Sequence, residues 1–405
     1  MDQFKALDYQ VKTYLDGTQG KMPLVSPDWI KLEQQAGEKM SPEARSYIIA
    51  GAGLQKTMDN NRSGFDKFRI VPRMLRNVEQ RDASTQILGV HLPSPFFLCP
   101  IGVAEMVHTE GDVAIARGAS VTGIPYIFSN QASFPMETCA KAMGDTPFFF
   151  QLYWSKSRDL VASFVKRAEK CGAKGIVLTL DTTFLGWRTR DLDIAYLPFL
   201  QGKGIAQYTS DPVFMKLAMT EAHNANTENH ATDSPEFKKL VGMVCVRLFT
   251  QIYTNSTTTW DDLAFLREHT KLPIILKGIL HEADAGFAVE YGMDGIIVSN
   301  HGGRQVDGAI STIEALPTIV RAVNKKIPVL FDSGIRGGAD VFKALALGAD
   351  AVGLGRPYIY GLTMAGAEGV TEVIRQLQAD FELTMALAGC KNVGEITNQT
   401  IIKIT

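Results

Sequence analysis

The segment that decides the fold is GIIVSNHGGRQVDGA, from Gly295 to Ala309. It begins with a short run of apolar and β-branched residues and ends in glycines and polar residues, including His301, Arg304 and Asp307. Such a run is typical of a strand that is buried on both faces, as in a parallel sheet. Strong polar groups directly after it indicate a site at the carboxyl end of the strand, because buried polar groups need partners.

Similar apolar runs recur through the middle of the chain and alternate with longer stretches. Apolar runs of strand length are separated by stretches of helical length, which favours a parallel α/β sheet. Strands are predicted at 95–100, 126–129, 148–153, 175–181, 272–278, 295–300, 328–334 and 351–355. Eight such units favour a closed (β/α)8 barrel, a TIM barrel, over an open doubly wound sheet. The 405 residues suit a barrel of about 250 residues with additions.

Three segments are expected along the chain. Residues 1–75 form an N-terminal helical segment that packs on the barrel, 76–380 form the barrel, and 381–405 form a C-terminal tail. Within the first segment, helix formers follow a Ser-Pro-Asp cap in SPDWIKLEQQAGEKM, and a second helix is predicted over Ser41–Ala50.

A long insertion follows the fourth predicted strand, at about 190–260. Its first half is partly apolar, and its second half is polar and rich in Asn and Thr. Because loops of this length are uncommon in compact domains, the insertion is either a functional lid or a disordered connection.

Composition excludes several classes of function. A net charge of −2 gives no reason to expect nucleic acid or an anionic membrane as a partner. The five cysteines are widely spaced with no CxxC, so we expect reduced thiols and no bound metal. The N-terminus has no apolar signal region, and no apolar run is long enough to span a membrane. A cytoplasmic enzyme is therefore expected.

Nearly every predicted barrel strand ends in polar residues or glycines. In a barrel these ends meet at one rim, where active sites lie. A lone histidine after a strand is usually structural. Convergence of many polar groups instead favours a ligand, because each unsatisfied buried group costs about 1–3 kcal/mol.

The last two strands indicate the kind of ligand. FDSGIRGGADVF and GLGRP place Gly334, Arg336, Gly355 and Arg356 after successive strands. Glycine-exposed N–H groups, a helix N-terminus and arginines form the usual phosphate pocket of barrels. Tight turns with surface arginines are the alternative.

Other residues at the rim have the chemistry of an acid–base site. His301 is a candidate base that Asp181 would orient, and Arg188 with Arg304 could bind a carboxylate. Lys277 could face a group that becomes anionic during a reaction. A plain ion pair between Lys277 and Asp181 is equally consistent with the pattern.

Six motifs together resemble the FMN-dependent family that oxidises α-hydroxy acids. In chain order they are FFQLY, LTLDT, ILKG, SNHGGRQVDGA, FDSGIRGGADVFKALALGAD and GLGRP. The resemblance extends from about Tyr47 to Pro357. The resemblance implies a (β/α)8 barrel, FMN as cofactor, a small 2-hydroxy-acid substrate with O2, and a homotetramer or homo-octamer.

The resemblance also implies residue roles. His301 would take the hydroxyl or α-carbon proton of the substrate with Asp181 behind it, and Lys277 would stabilise negative charge on the reduced flavin. The substrate-binding residues would be Tyr47, Tyr153, Arg188 and Arg304, and both tyrosines would also serve catalysis. The cofactor-binding residues would be Pro100, Ile101, Gly102, Ser129, Gln151, Thr179, Lys277, Ser299, Asp332, Gly334, Arg336, Gly355 and Arg356.

Two features resemble the lactate 2-monooxygenase branch of this family. The first is Gly102 in PIGV, and the second is the long loop GWRTRDLDIAYLPFLQGKGIAQYTSDPVF. A lid that retains pyruvate would lead to acetate, CO2 and water from L-lactate. An open site would release pyruvate and hydrogen peroxide, as a lactate oxidase does. Electron transfer to a quinone or haem is a weaker alternative, since residues 1–75 contain no haem signature.

Overall fold

The computed structural model describes residues 5–228 and 230–404, and its centre is a closed parallel barrel. The strands are β1 Phe68–Ile70, β2 Thr85–Ile87, β3 Val90–Leu92, β4 Phe96–Leu98, β5 Tyr126–Phe128, β6 Phe148–Leu152, β7 Ile176–Thr179, β8 Ile274–Ile279, β9 Gly295–Val298, β10 Val329–Phe331, β11 Ala351–Leu354 and β12 Ile401–Lys403. The barrel consists of β4 to β11, and pairing of Phe96 with Val352 closes it. All eight predicted strands and the predicted barrel are confirmed.

Helices surround the barrel and extend it at both ends. They are α1 Ala6–Thr18, α2 Trp29–Lys39, α3 Pro42–Ile49, α4 Lys56–Ser63, α5 Gly111–Thr122, α6 Met136–Met143, α7 Arg158–Lys170, α8 Thr189–Asp193, α9 Ala206–Thr209, α10 Pro212–Ala225, α11 Pro235–Ile252, α12 Leu263–His269, α13 Glu282–Glu290, α14 Thr312–Val323, α15 Gly338–Ala346 and α16 Arg356–Ala388. The sequence did not predict α1, α4, α6, the helices α8 to α11 or α16. Across residues 5–228 and 230–404, no helix has both the length and the apolar character needed to cross a membrane.

The barrel interior is filled by one apolar side chain from each strand. These side chains are Phe97, Ile127, Phe149, Val177, Ile275, Ile297, Leu330 and Ala351. The hairpin of β2 and β3 adds Ile87, Val90 and Leu92 to the same cluster. Since Pro125 at the start of β5 borders this cluster, the hairpin covers the amino-terminal end of the barrel. A polar site therefore has room only at the carboxyl end.

The two ends of the chain are joined to each other, and the last helix of the barrel extends into the predicted tail. In the N-terminal segment, β1 pairs with β12 in an antiparallel register that sets Phe68 opposite Lys403. The boundary predicted between residues 380 and 381 falls inside α16, which is kinked at Ala365 and Gly366 and then continues to Ala388. Residues 381–388 therefore belong to the last barrel helix, because their apolar face continues to pack on the core.

The insertion between β7 and α12 is helical and packed where the structure describes it. It contains α8 to α11 and has its own aromatic core. The ring centroids of Tyr208 and Phe249 lie 4.8 Å apart with the planes nearly perpendicular, and Phe199 and Phe214 pack against the same pair. Edge-to-face contacts of this kind stabilise a defined arrangement. The insertion is therefore an ordered unit.

Replacing Phe249 with alanine should destabilise this unit by about 3–5 kcal/mol, the usual loss for a buried phenylalanine. Phe249 has no exposed surface, whereas Met243 on the same helix is 63% exposed. Met243→Ala is therefore the matched control and should change stability by less than about 0.5 kcal/mol. Urea unfolding of both variants measures the difference, and equal losses would contradict the packed insertion.

Candidate active site

A cavity lies at the carboxyl ends of the barrel strands. Most of the residues predicted for the site line it: Tyr47, Pro100, Ile101, Gly102, Ser129, Gln151, Tyr153, Arg188, Lys277, His301, Arg304, Asp332, Gly334, Arg336, Gly355 and Arg356. Thr179, Asp181 and Ser299 do not line it. Each of these three forms a hydrogen bond with a side chain that does, so they support the wall of the cavity from behind.

His301 and Asp181 form a close pair at the ends of β9 and β7. Nδ1 of His301 lies 2.7 Å from Oδ1 of Asp181, which places the proton on Nδ1 and leaves Nε2 free to accept. Burial lowers the pKa of His301 below its ordinary value, although the charge of Asp181 opposes this. Burial favours protonation of Asp181, but the charges of His301 and Lys277 bring the pKa of its carboxyl below the ordinary value. The pair is therefore a neutral imidazole beside a carboxylate at neutral pH.

A glycine in β8 makes room for this pair. Gly278 has φ +108°, and a Cβ there would lie 2.8 Å from Cβ of Asp181. His301 itself has φ +58°, a conformation that is strained for a residue with a side chain. It is held there by Ser299, whose Oγ accepts from the His301 N–H at 3.1 Å. The backbone thus fixes the direction of the imidazole before any substrate binds.

Lys277 is a buried cation whose direct ion-pair partner is Asp332 and not Asp181, the partner that one of the two alternatives proposed. Its Nζ lies 3.2 Å from Oδ2 of Asp332 and donates to Oγ of Ser299 at 2.8 Å. Burial alone would lower the pKa of Lys277, but the charges of Asp332 and Asp181 raise it above the ordinary value. The direct ion pair is with Asp332, while Asp181 acts on Lys277 from farther away. Lys277 therefore stays charged at the floor of the cavity.

Arg188 and Arg304 are two of the arginines that line the cavity. Among the described residues, neither Arg188 nor Arg304 has a carboxylate within 4.0 Å. Arg304 donates to the carbonyl of Ala50 at 2.8 Å, and its Cζ lies 5.0 Å from the ring centroid of Tyr47. Burial and the charge of Arg188 lower the pKa of Arg304 to about 9. A bound carboxylate would relieve this repulsion, so the pair is suited to an anionic substrate.

Amide and hydroxyl groups connect the ends of β5, β6 and β7. Oγ of Ser129 donates to Oε1 of Gln151 at 3.3 Å, and Nε2 of Gln151 donates to Oγ1 of Thr179 at 3.0 Å. The N–H of Tyr153 donates to the side chain of Asn130 at 2.9 Å. Burial raises the pKa of Tyr153, so its phenol stays protonated and can donate a hydrogen bond.

The far end of the cavity has the features of a phosphate pocket. Gly355 precedes α16, and nothing lies within 4 Å of where its Cβ would be. The guanidinium of Arg336 donates to the carbonyl of its neighbour Ile335 at 3.0 Å and has a long contact, 3.5 Å, with Glu33. Arg356 is more constrained, because it donates to the carbonyls of Ile48, Ala50 and Gly302. Arg336 is therefore the freer cation, and Arg356 braces the loops around it.

The sequence model of the FMN-dependent dehydrogenases matches residues 36–403. The chain belongs to this family. It is 41% identical to an FMN-dependent alpha-hydroxy acid dehydrogenase of Schizosaccharomyces pombe, over 97% of this chain and 95% of that protein. It is also 41% identical to an L-lactate oxidase of Lysinibacillus sphaericus, over 92% of each chain. A crystal structure of mandelate oxidase superposes with a TM-score of 0.78 at 32% identity, covering 93% of this chain and 98% of that one.

This FMN-dependent enzyme oxidises an α-hydroxy acid, and its cavity fits the cofactor. The open space at Gly355, the N-terminus of α16 and Arg336 suit a phosphate. The amide and hydroxyl groups of Ser129 and Gln151 suit the polar edge of a flavin ring, and charged Lys277 suits a ring that gains negative charge.

The sequence analysis missed some residues of the cavity wall. Leu185 and Tyr253 come from the insertion, and Thr182 comes from the loop after β7. Nothing in the pattern of the insertion indicates which of its side chains turn inward. Gln131 also lines the cavity, and its position two residues after Ser129 on the same loop is a signal that could have found it.

Replacing Asp181 with asparagine should lower kcat by roughly 10²–10⁴-fold, because the protonated imidazole loses its counter-ion. The charge of Asp181 raises the pKa of His301 against burial. Its removal should therefore lower that pKa further, so activity is lost at a lower pH on acidification. The pH profile of kcat/KM measures this. Asp193→Asn, at an exposed position of α8, is the control; an acid limb that moves to higher pH would contradict the assignment.

Proposed function

We propose that the enzyme is an L-lactate 2-monooxygenase. It oxidises L-lactate to pyruvate and then decarboxylates the pyruvate oxidatively before releasing it. Overall, L-lactate and O2 give acetate, CO2 and water. The observation that carries this proposal is the ordered insertion bonded to the loops that flank the cavity.

The proposed substrate follows from the charges and size of the cavity. Arg188 and Arg304 bind the carboxylate, since they have no acidic partner of their own among the described residues. Leu185 and Tyr253 also line the cavity, and their bulk suits a short substrate side chain such as the methyl group of lactate. The identity with an L-lactate oxidase supports the same choice.

The residues around the substrate divide the work of oxidation. Neutral His301 accepts a proton at Nε2, and Asp181 stabilises the imidazolium that forms. The phenols of Tyr47 and Tyr153 donate hydrogen bonds to the substrate oxygens. FMN, when bound, would supply the acceptor for the two electrons that leave the α-carbon. Lys277 supplies positive charge where the reaction creates negative charge.

Retention of pyruvate is what separates a monooxygenase from an oxidase on this scaffold. The N–H of Gly204 in the insertion donates to Oε1 of Glu105 after β4, at 3.1 Å. The N–H of Ala206 donates to the carbonyl of Ala132 after β5, at 3.2 Å. An insertion fixed at both loops slows product release, so pyruvate and peroxide react before they separate.

Gly102 lies where two loops of the cavity wall meet. A Cβ at Gly102 would lie 2.9 Å from the carbonyl oxygen of Gln131. Glycine at this position therefore allows the loop after β5 to approach the cavity closely.

A second candidate is an L-lactate oxidase, which the 41% identity to the Lysinibacillus sphaericus enzyme favours. It would release pyruvate and hydrogen peroxide. In that case the insertion would serve substrate binding and not product retention.

Product analysis after aerobic turnover of L-lactate distinguishes the two. Catalase must be present, because free peroxide decarboxylates pyruvate in solution and would imitate the enzyme. We expect acetate to be the main product with little free pyruvate, measured by NMR or chromatography. Pyruvate as the main product would contradict the monooxygenase and support the oxidase.

A further inference from the structure

One glutamine of the insertion holds the loop that carries part of the cavity wall. Gln207 lies in α9 and has no exposed surface. Its Oε1 accepts from the N–H of Met136 at 2.9 Å, and its Nε2 faces the carbonyls of Ser129 and Phe134 at 3.4 and 3.3 Å. All three partners are backbone groups of the loop between β5 and α6. A buried amide that is fully bonded to backbone fixes the position of that backbone.

The loop that Gln207 holds leads directly to the cavity. Ser129 and Gln131 both line it, and the N–H of Gln131 donates to Oγ of Ser129 at 3.0 Å. The carbonyl of Gln131 in turn accepts from the N–H of Val103, next to Gly102, at 2.9 Å. The contacts therefore continue from the insertion, through the loop after β5, to the loop after β4.

Gln207 is itself held from the outside. Nη1 of Arg167 in α7 donates to the backbone carbonyl of Gln207 at 2.9 Å and lies 3.1 Å from Oδ2 of Asp211. A second attachment of the insertion runs through Glu105. Its Oε1 accepts from the N–H of Gly204, and its N–H donates to Oγ of Ser133 at 3.0 Å. Both attachments of the insertion thus end on the segment from Ser129 to Met136.

We propose that Gln207 is a positioning residue that couples closure of the insertion to the wall of the cavity, and that Glu105 is the second attachment. Neither residue touches the reacting atoms. Their effect is to keep pyruvate in the site after oxidation, and this inference therefore rests on the proposed function.

The test uses Gln207→Met in the FMN-loaded enzyme, because methionine keeps the length of the side chain and removes its amide. Three backbone groups lose their partner, so the insertion opens more often. We expect pyruvate to dissociate from the reduced enzyme about tenfold faster, the change expected from one net hydrogen bond. The ratio of acetate to pyruvate should fall, while the rate of anaerobic flavin reduction by L-lactate changes much less. Gln201→Met, at an exposed position of the same insertion, is the control.

The outcomes separate the two proposals. If the wild type makes acetate and Gln207→Met makes mainly pyruvate, the inference holds. If both make acetate in the same ratio, the inference is wrong and the monooxygenase stands. If the wild type makes only pyruvate, the monooxygenase is wrong. The inference is then decided by pyruvate dissociation alone: faster release supports it and an unchanged rate overturns it.

Should Gln207→Met not fold, Glu105→Ala at the second attachment must show the same shift in product ratio or pyruvate release.

Discussion

Closure of the barrel between β4 and β11 is the constraint on which the site depends. Because the eight strands are parallel, closure brings all their carboxyl ends to one rim. Asp181 and His301 are 120 residues apart in the chain and yet lie 2.7 Å apart at this rim. The opposite end is filled by apolar side chains and covered by the β2–β3 hairpin, so the polar groups have only one end to occupy.

The positive charge of the site explains why its substrate is an anion and why its base, His301, is neutral. Lys277, Arg188 and Arg304 bring three cations into a space where Asp181 and Asp332 are the nearby anions. Buried charge in excess needs a partner, and an α-hydroxy acid supplies a carboxylate. Burial lowers the pKa of His301, and the charges of Lys277 and Arg188 lower it further. The environment that attracts the substrate therefore also keeps the imidazole neutral, as a base must be.

The sequence predicted the parts of this structure that repeat and missed the parts that depend on contacts. Apolar runs followed by polar residues located all eight barrel strands, and most predicted site residues line one cavity. The eight-residue helix α6 gives too short a periodic signal to be recognised. Spacing along the chain could not show that Lys277 pairs with Asp332, since that contact reaches across β9, which lies between β8 and β10 in the barrel.

The insertion was the hardest part to predict. Its aromatic residues are visible in the sequence, but their edge-to-face packing arises only when α9, α10 and α11 meet. The contacts of Gln207 with backbone groups leave no trace in a sequence pattern, because any residue can supply a backbone N–H or carbonyl. Thus the sequence identifies the chemistry of the rim, while the proposed retention of product depends on contacts that form only in the folded insertion.

The central claim is that this rim is one site at which FMN receives electrons from a 2-hydroxy acid. Anaerobic mixing of the FMN-loaded enzyme with L-lactate, followed by the visible absorbance of the flavin, tests it most directly. The account predicts that L-lactate bleaches the flavin fully, without O2 or any other acceptor. A flavin that remains oxidised in excess L-lactate, in folded enzyme with FMN bound, would contradict it.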